Sequence, residues 1–181
     1  FGFFGLWAGP YLRTVHNLSA TQTGNVLSMI AFSMIIMSPI IGHLSDRIGS
    51  RRKVLMWTSV LDAACWVIMA LFFERLSPTT LMILFFLMGV TTSSIGALAI
   101  IMATEPFPRA LAGTCMGATN LFPFVGAVIF QPLMGYVLDR GGSMNGVYTI
   151  GSYRILLWML LLLSLVALIS IAQSKDSFSS R

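Results

Sequence analysis

The sequence predicts an all-α membrane protein with six transmembrane helices, and three observations carry that prediction. Only 9% of the 181 residues are charged, against about 25% in a typical soluble domain. Hydrophobic residues make up 56% of the chain and its mean hydropathy is +0.86. The apolar residues gather into six long runs with short polar punctuation between them, and roughly 20 such residues in a helix cross about 30 Å of hydrocarbon. The short alternating segments of a β-barrel are absent from the sequence.

Taken in order, the first segment covers 1–15 and opens on "FGFFGLWAGPYL", with neither a Met nor a basic leader. Its stretch before Arg13 is too short to cross a bilayer, so the expectation is a helix already under way in a fragment or trimmed chain. Segment two, 21–41, is opened by "NLSATQTG", whose Ser and Thr are helix-capping residues. Segment three is 53–73, and "ERLSP" turns the chain into segment four, 79–103. "TEPFPRA" forms a short loop because its two prolines resist helix continuation. Segment five, 111–138, contains Pro123 and Pro132 and is expected to bend. "DRGGSMNG" reads as a flexible turn. Segment six, 153–172, is the most uniformly aliphatic, and 173–181 form a polar tail.

Composition excludes several classes of function. The net charge of +5 is scattered between apolar spans without a basic patch interleaved with aromatics, so no nucleic-acid partner is expected. Cys65 and Cys115 both lie inside apolar runs and read as small core residues. His16 and His43 fall at opposite ends of the spans, so no metal site is expected, and nothing calls for a cofactor. Without a cluster of His, Asp or Cys, the chain is not expected to be an enzyme.

The one dense polar stretch between long apolar runs is "GHLSDRIGSRRKV", with Asp46, Arg47, Arg51, Arg52 and Lys53. Gly42 at a helix end permits close helix approach, Gly49 permits a turn, and Asp46 can accept from exposed N–H groups at a neighbouring helix start. The cations can hold that carboxylate, bind anionic headgroups or fix topology. On the motif's side lie Arg47, Arg51, Arg52, Lys53, Arg109, Lys175 and Arg181; on the other lie Arg13, Arg75, Arg140 and Arg154. That excess makes the motif loop and the tail cytoplasmic.

Gly42, Leu44, Asp46, Arg47, Gly49, Arg51 and Arg52 match the pattern Gly-x-Leu-x-Asp-Arg-x-Gly-x-Arg-Arg. The stretch resembles the signature loop between the second and third helices of each half of a major facilitator superfamily transporter. "LWAGPYL" and "FQPLMGYVLDR" are similar to the first and fifth helices of the carboxyl-terminal half, so the resemblance covers essentially the whole chain. Segment four lacks the membrane-embedded Arg usual in the fourth helix of the amino-terminal half. The resemblance implies helices seven to twelve of such a carrier: one six-helix bundle over 1–172, made of two three-helix repeats, in the bacterial inner membrane. It also implies alternating access to a small-molecule substrate near mid-membrane. The implied partners are the lipid bilayer and either the amino-terminal six-helix half or a second copy of this chain. Proton-coupled symport is the expectation by family frequency. The alternatives are a self-associating half-size transporter and a drug or metabolite efflux antiporter.

By the same resemblance, the first and fourth segments line the cavity and the second and fifth meet the other half. Trp7 and Tyr11 share a helix face, and stand either as substrate contacts or as an interfacial aromatic belt. Thr91, Thr92, Ser93 and Ser94 cover all faces of one turn, as substrate contacts or as helix glue. Asn120 and Gln131, three turns apart, share a stripe with Phe124 and Ala127, which stands either as a substrate-facing stripe along the translocation path or as helix glue. Asp62 lies roughly 14 Å beyond Lys53 along its helix. Carboxylates at that depth are costly, which makes it the candidate for proton coupling; the alternative is a hydrogen bond to Ser or Thr of a neighbouring helix. The motif loop of a lone half lacks its natural partner, and is therefore expected to be mobile, rearranged or held by another copy.

Overall fold

The structure is a computed structural model and describes residues 2–144, 146–174 and 176. Lys175 and Arg181 of the charge count, and most of the polar tail, lie outside the described residues. A π-helical turn, Phe3–Trp7, leads into α1, Ala8–His16. Then come α2, Ala20–Ile48; α3, Arg51–Phe72; and α4, Pro78–Ser94, which continues through a π-helical turn, Ile95–Ala99, into α5, Ile100–Thr104. A short 3-10 turn, Arg109–Leu111, precedes α6, Ala112–Arg140, and α7 spans Ile150–Gln173. Five of these stretches are long and apolar enough to cross a membrane: α2, α3, Pro78–Thr104, α6 and α7. The first helical stretch is shorter, with 5 π-helical and 9 α-helical residues.

Local chemistry places the helix ends. Ser19 caps α2 in a reciprocal box: the Gln22 N–H donates to Ser19 Oγ at 3.2 Å, and the Ser19 N–H donates to Gln22 Oε1 at 2.9 Å. Ser50, Ser77 and Thr149 cap α3, α4 and α7 through the same kind of side-chain acceptor, with Pro78 at the first turn of α4. Asn17 closes α1 in the left-handed conformation at φ 52°, and Gly49 closes α2 at φ 66°.

Two stretches differ from the sequence expectation. The second helix runs seven residues past 41, so Gly42, Leu44, Asp46 and Arg47 are helical and only Gly49 and Ser50 separate α2 from α3. No residue of that stretch breaks a helix until Gly49. Gly42 is therefore not at a helix end, and a Cβ there would meet nothing within 4 Å. The "DRGGSMNG" turn is a small antiparallel hairpin, β1 Ser143–Met144 with β2 Val147–Tyr148. Gly142 and Gly146, at φ 95° and 77°, give it conformations that other residues rarely adopt. Tyr148 Oη donates to Asp139 Oδ1 at 3.0 Å, tying the hairpin to the end of α6. Burial, and then the Asp139 carboxylate, push the Tyr148 phenol up, which keeps it the donor.

The bundle is built on two close pairings, α2 with α4 and α3 with α7. The larger core, around Phe3, Tyr11, Trp66, Phe85, Met88 and Tyr153, fills the half away from the motif. A smaller core of Ile41, Val54, Leu55, Val90 and Leu98 lies under the motif. Large apolar side chains on α2 and α6 point outward, with Ile35 76%, Phe122 73% and Val128 74% exposed. In water such faces would demand burial; in a bilayer they meet acyl chains or another protein.

Candidate functional site

The motif folds into two unlike halves around one buried arginine. Arg51 begins α3, yet its guanidinium turns back over the Gly49 turn toward the end of α2. It donates to Ser45 Oγ at 2.6 Å and to Asp46 Oδ1 at 2.5 Å, and its Nη2 lies 3.4 Å from Glu105 Oε1, just past α5. Ser45 Oγ in turn donates to the Gly42 carbonyl at 2.9 Å, so that hydroxyl is used in both directions. The end of α2, the start of α3 and Glu105, 54 residues further along, therefore share one charge centre. Arg52 donates to the carbonyls of Ile171 and Ala172, where a cation suits the negative end of the α7 dipole. Ser50 Oγ accepts from the Lys53 N–H at 3.1 Å and donates to the Asp176 carboxylate.

The outer half faces away from the bundle. The Asp46 side chain is 63% exposed although one oxygen is held by Arg51. Leu44, Arg47 and His43 are exposed and border a shallow 340 Å³ cleft with Pro39 and Ile40. Contacts within the chain order this corner. The reason is local, since a two-residue connection leaves Arg51 within reach of the last turn of α2.

The other candidates separate. Of the four hydroxyl residues, Thr91 is buried and donates to the Thr58 carbonyl of α3 at 2.7 Å. Thr92, Ser93 and Ser94 bond back to the carbonyls of Met88, Gly89 and Val90. Such back-bonding loosens a helix, and the π-helical turn Ile95–Ala99 follows directly. Thr92 alone of the four lines an open space, a 220 Å³ cavity between Phe4 and Gly5 of the first helix and Leu27, Ile30 and Met34 of α2. Tyr11 is fully buried: its hydroxyl donates to the Phe73 carbonyl at 3.2 Å and lies 3.1 Å from His16 Nε2. Trp7 donates through Nε1 to the Gln131 carbonyl at 3.1 Å and rests on Gly135, with Tyr148 at its edge. Trp7 and Tyr11 thus make different contacts, one to α6 and one to the loop after α3.

The polar stripe of α6 also divides. Asn120 and Phe124 are exposed, whereas Gln131 packs beside Gly2 and Gly5 and Ala127 borders a 460 Å³ space between the first helix, α3, α6 and α7. Asp62 is half-buried on α3, one turn before Trp66. Trp66 is in turn fixed against Phe3 and Phe4, at ring separations of 5.5 and 6.0 Å.

Comparison with known proteins places this arrangement. The family model described as Major Facilitator Superfamily matches residues 1–175. The chain is 29% identical to the arabinose-proton symporter of Bacillus subtilis over 150 residues, covering 83% of this chain and 30% of that protein. It is 43% identical over 58 residues to the lactose permease of Klebsiella pneumoniae, covering 32% of this chain and 40% of that protein. The tetracycline resistance protein of class H from Pasteurella multocida is 30% identical over 154 residues, covering 81% of this chain and 35% of that protein. The chain thus spans well under half the length of these relatives.

Proposed function

Because the chain belongs to the Major Facilitator Superfamily, we propose that it is the carboxyl-terminal six-helix half of a secondary transporter that moves a small hydroxylated solute by alternating access. The observation that carries this reading is the signature of α2 and α3, every position filled, built around Arg51 with an exposed Asp46. The repeats are the first helix with α2 and α3, and Pro78–Thr104 with α6 and α7. The motif end and the tail face the cytoplasm by the count of cations. Ile35, Phe122 and Val128 belong to faces that meet the amino-terminal half, and Asp46 and Arg47 reach the same partner at the cytoplasmic edge. Rocking of one half on the other opens and closes the path between them.

Thr92, facing the cavity between the first helix and α2, is the substrate contact among the four hydroxyls, and Gln131 the one on α6. Trp7 positions α6 through the Gln131 carbonyl. Two of the relatives are named for the sugars arabinose and lactose, and one of those for protons, which favours proton-coupled sugar symport. The tetracycline-resistance relative supports drug efflux as the second reading.

Asp62 carries the coupling proton. In proteoliposomes of the whole carrier, Asp62→Asn should cut proton-driven accumulation of arabinose by at least about tenfold while sparing downhill exchange, because only the driven step needs the carboxyl to load and release a proton. Unchanged accumulation would remove Asp62 from the mechanism. Outward transport of tetracycline, with no sugar moved, would replace symport by the efflux reading.

A further inference from the structure

Gln131, Gly135 and Asp139 follow one another along α6 at four-residue spacing and so share a face of that helix. Two aromatic side chains from other parts of the chain lie along this face. Trp7 of the first helical stretch donates through Nε1 to the Gln131 carbonyl at 3.1 Å. Its indole rests over Gly135, where a Cβ would come within 3.0 Å of Cζ2. One turn further on, Asp139 Oδ1 accepts from Tyr148 Oη at 3.0 Å. The two aromatics meet edge to face, with ring centroids 5.8 Å apart and planes at 68°. Tyr148 is backed in turn by the buried ring of Tyr153 on α7, at 6.4 Å and 90°.

The face needs such support. Pro132 lies within it and has no N–H to give the Val128 carbonyl, so α6 holds itself less firmly there. The residue just before that weak point is Gln131, the α6 substrate contact under the transporter reading. Its side chain reaches toward the first helix, since a Cβ built at Gly5 would lie 3.7 Å from Gln131 Nε2. A binding group beside a broken helix hydrogen bond keeps one geometry only when neighbours hold it. Trp7 holds the Gln131 backbone, and Trp7 is itself caught between Gly135 and the Tyr148 edge. We propose that Tyr148 is a positioning residue of the solute site: it fixes Trp7, and Trp7 fixes Gln131. The inference rests on the transporter reading and extends it to the connection between α6 and α7.

The test uses the whole carrier in proteoliposomes, with radiolabelled arabinose and, in parallel, tetracycline as solutes. Fluorotryptophan labelling gives Trp7 its own fluorine resonance, assigned by its loss in Trp7→Phe. Tyr148→Ala removes ring and hydroxyl together; it is expected to raise KM by about tenfold with kcat within about twofold, and to move the Trp7 resonance. Tyr148→Phe keeps the ring and should raise KM by about threefold. Gly135→Ala should move the same resonance, because its Cβ displaces the indole. Asp139→Asn, which retains an oxygen acceptor, should raise KM less than Asp139→Leu does. The decisive comparison is made in a Gln131→Ala background, where Tyr148→Ala should raise KM no further. A side chain that merely supports the fold would add its effect to that of Gln131→Ala. Additive effects, a fall in kcat with KM unchanged, or a Trp7 resonance that Tyr148→Ala leaves in place overturns the proposal while the carrier still moves solute. A wild-type carrier that moves neither solute sinks the transporter reading and the proposal built on it.

Discussion

Gly89→Leu should prevent the bundle from forming, and Gly89→Ala should lower its melting temperature in detergent. A Cβ built at Gly89 would lie 2.6 Å from Ser33 Cβ, 2.9 Å from Ser33 Oγ and 3.0 Å from the Ile30 carbonyl oxygen. Two of these are side-chain atoms, but the third is backbone of α2 and cannot rotate away. Alanine raises helix propensity by about 1 kcal/mol over glycine, whereas overpacking a close contact costs about 1–3 kcal/mol. The second effect wins, because α2 must move away from the helix on which it packs most closely. Ser33→Gly in the same chain removes the two nearest contacts and should recover most of the loss for Gly89→Ala. A Gly89→Ala protein that melts with the wild type would show that α2 and α4 do not pack this closely. Ser33→Ala alone should be neutral or stabilising, since Ser33 Oγ is buried without a hydrogen bond.

The same contact illustrates what the sequence makes legible and what it hides. Apolar runs and capping residues locate the helices well: Ser19, Ser77 and Pro78 start helices as their chemistry requires, and "TEPFPRA" leaves the helical path near Glu105. The end of α2 is harder to see, because a charged stretch looks like a loop although nothing in Gly42–Ile48 stops a helix. Distance along a helix also misleads when neighbours decide the outcome. Asn120 and Gln131 share a stripe by period, yet one is exposed and the other lies against the first helix. Thr91 to Ser94 look alike in sequence, and only the packing of α3 and α2 against α4 decides that Thr91 bonds across helices and Thr92 faces a cavity. Glu105 gives no local sign of its role. Its one cue is an acidic residue on the motif's side of the membrane, where the cations are concentrated.

Arg51→Ala should be the most damaging change at the motif. The side chains of Arg51 and Glu105 are 9% and 13% exposed, whereas that of Asp46 is 63% exposed. The solvated Asp46 pair is therefore a small contributor to stability. Removing Arg51 leaves Glu105 and Ser45 buried without a contact that each now has, and breaking a buried pair on one side costs about 3–5 kcal/mol. Lysine does not rescue it, because one ammonium on a flexible stem cannot span acceptors on α2 and beyond α5 as a guanidinium does. The expected result for Arg51→Ala is a clear drop in detergent melting temperature and a loss of flux of at least about tenfold in the whole carrier. Asp46→Asn should separate the two readouts: a small stability change, because its carboxylate is exposed, but a large loss of flux if, as proposed, that carboxylate is the contact to the amino-terminal half. A double-mutant cycle of Arg51→Ala with Glu105→Gln measures the link between the α2–α3 corner and the end of α5. A coupling energy near zero would mean that the corner and the end of α5 move independently, and the motif would then be a topology anchor and not part of the proposed alternating-access mechanism.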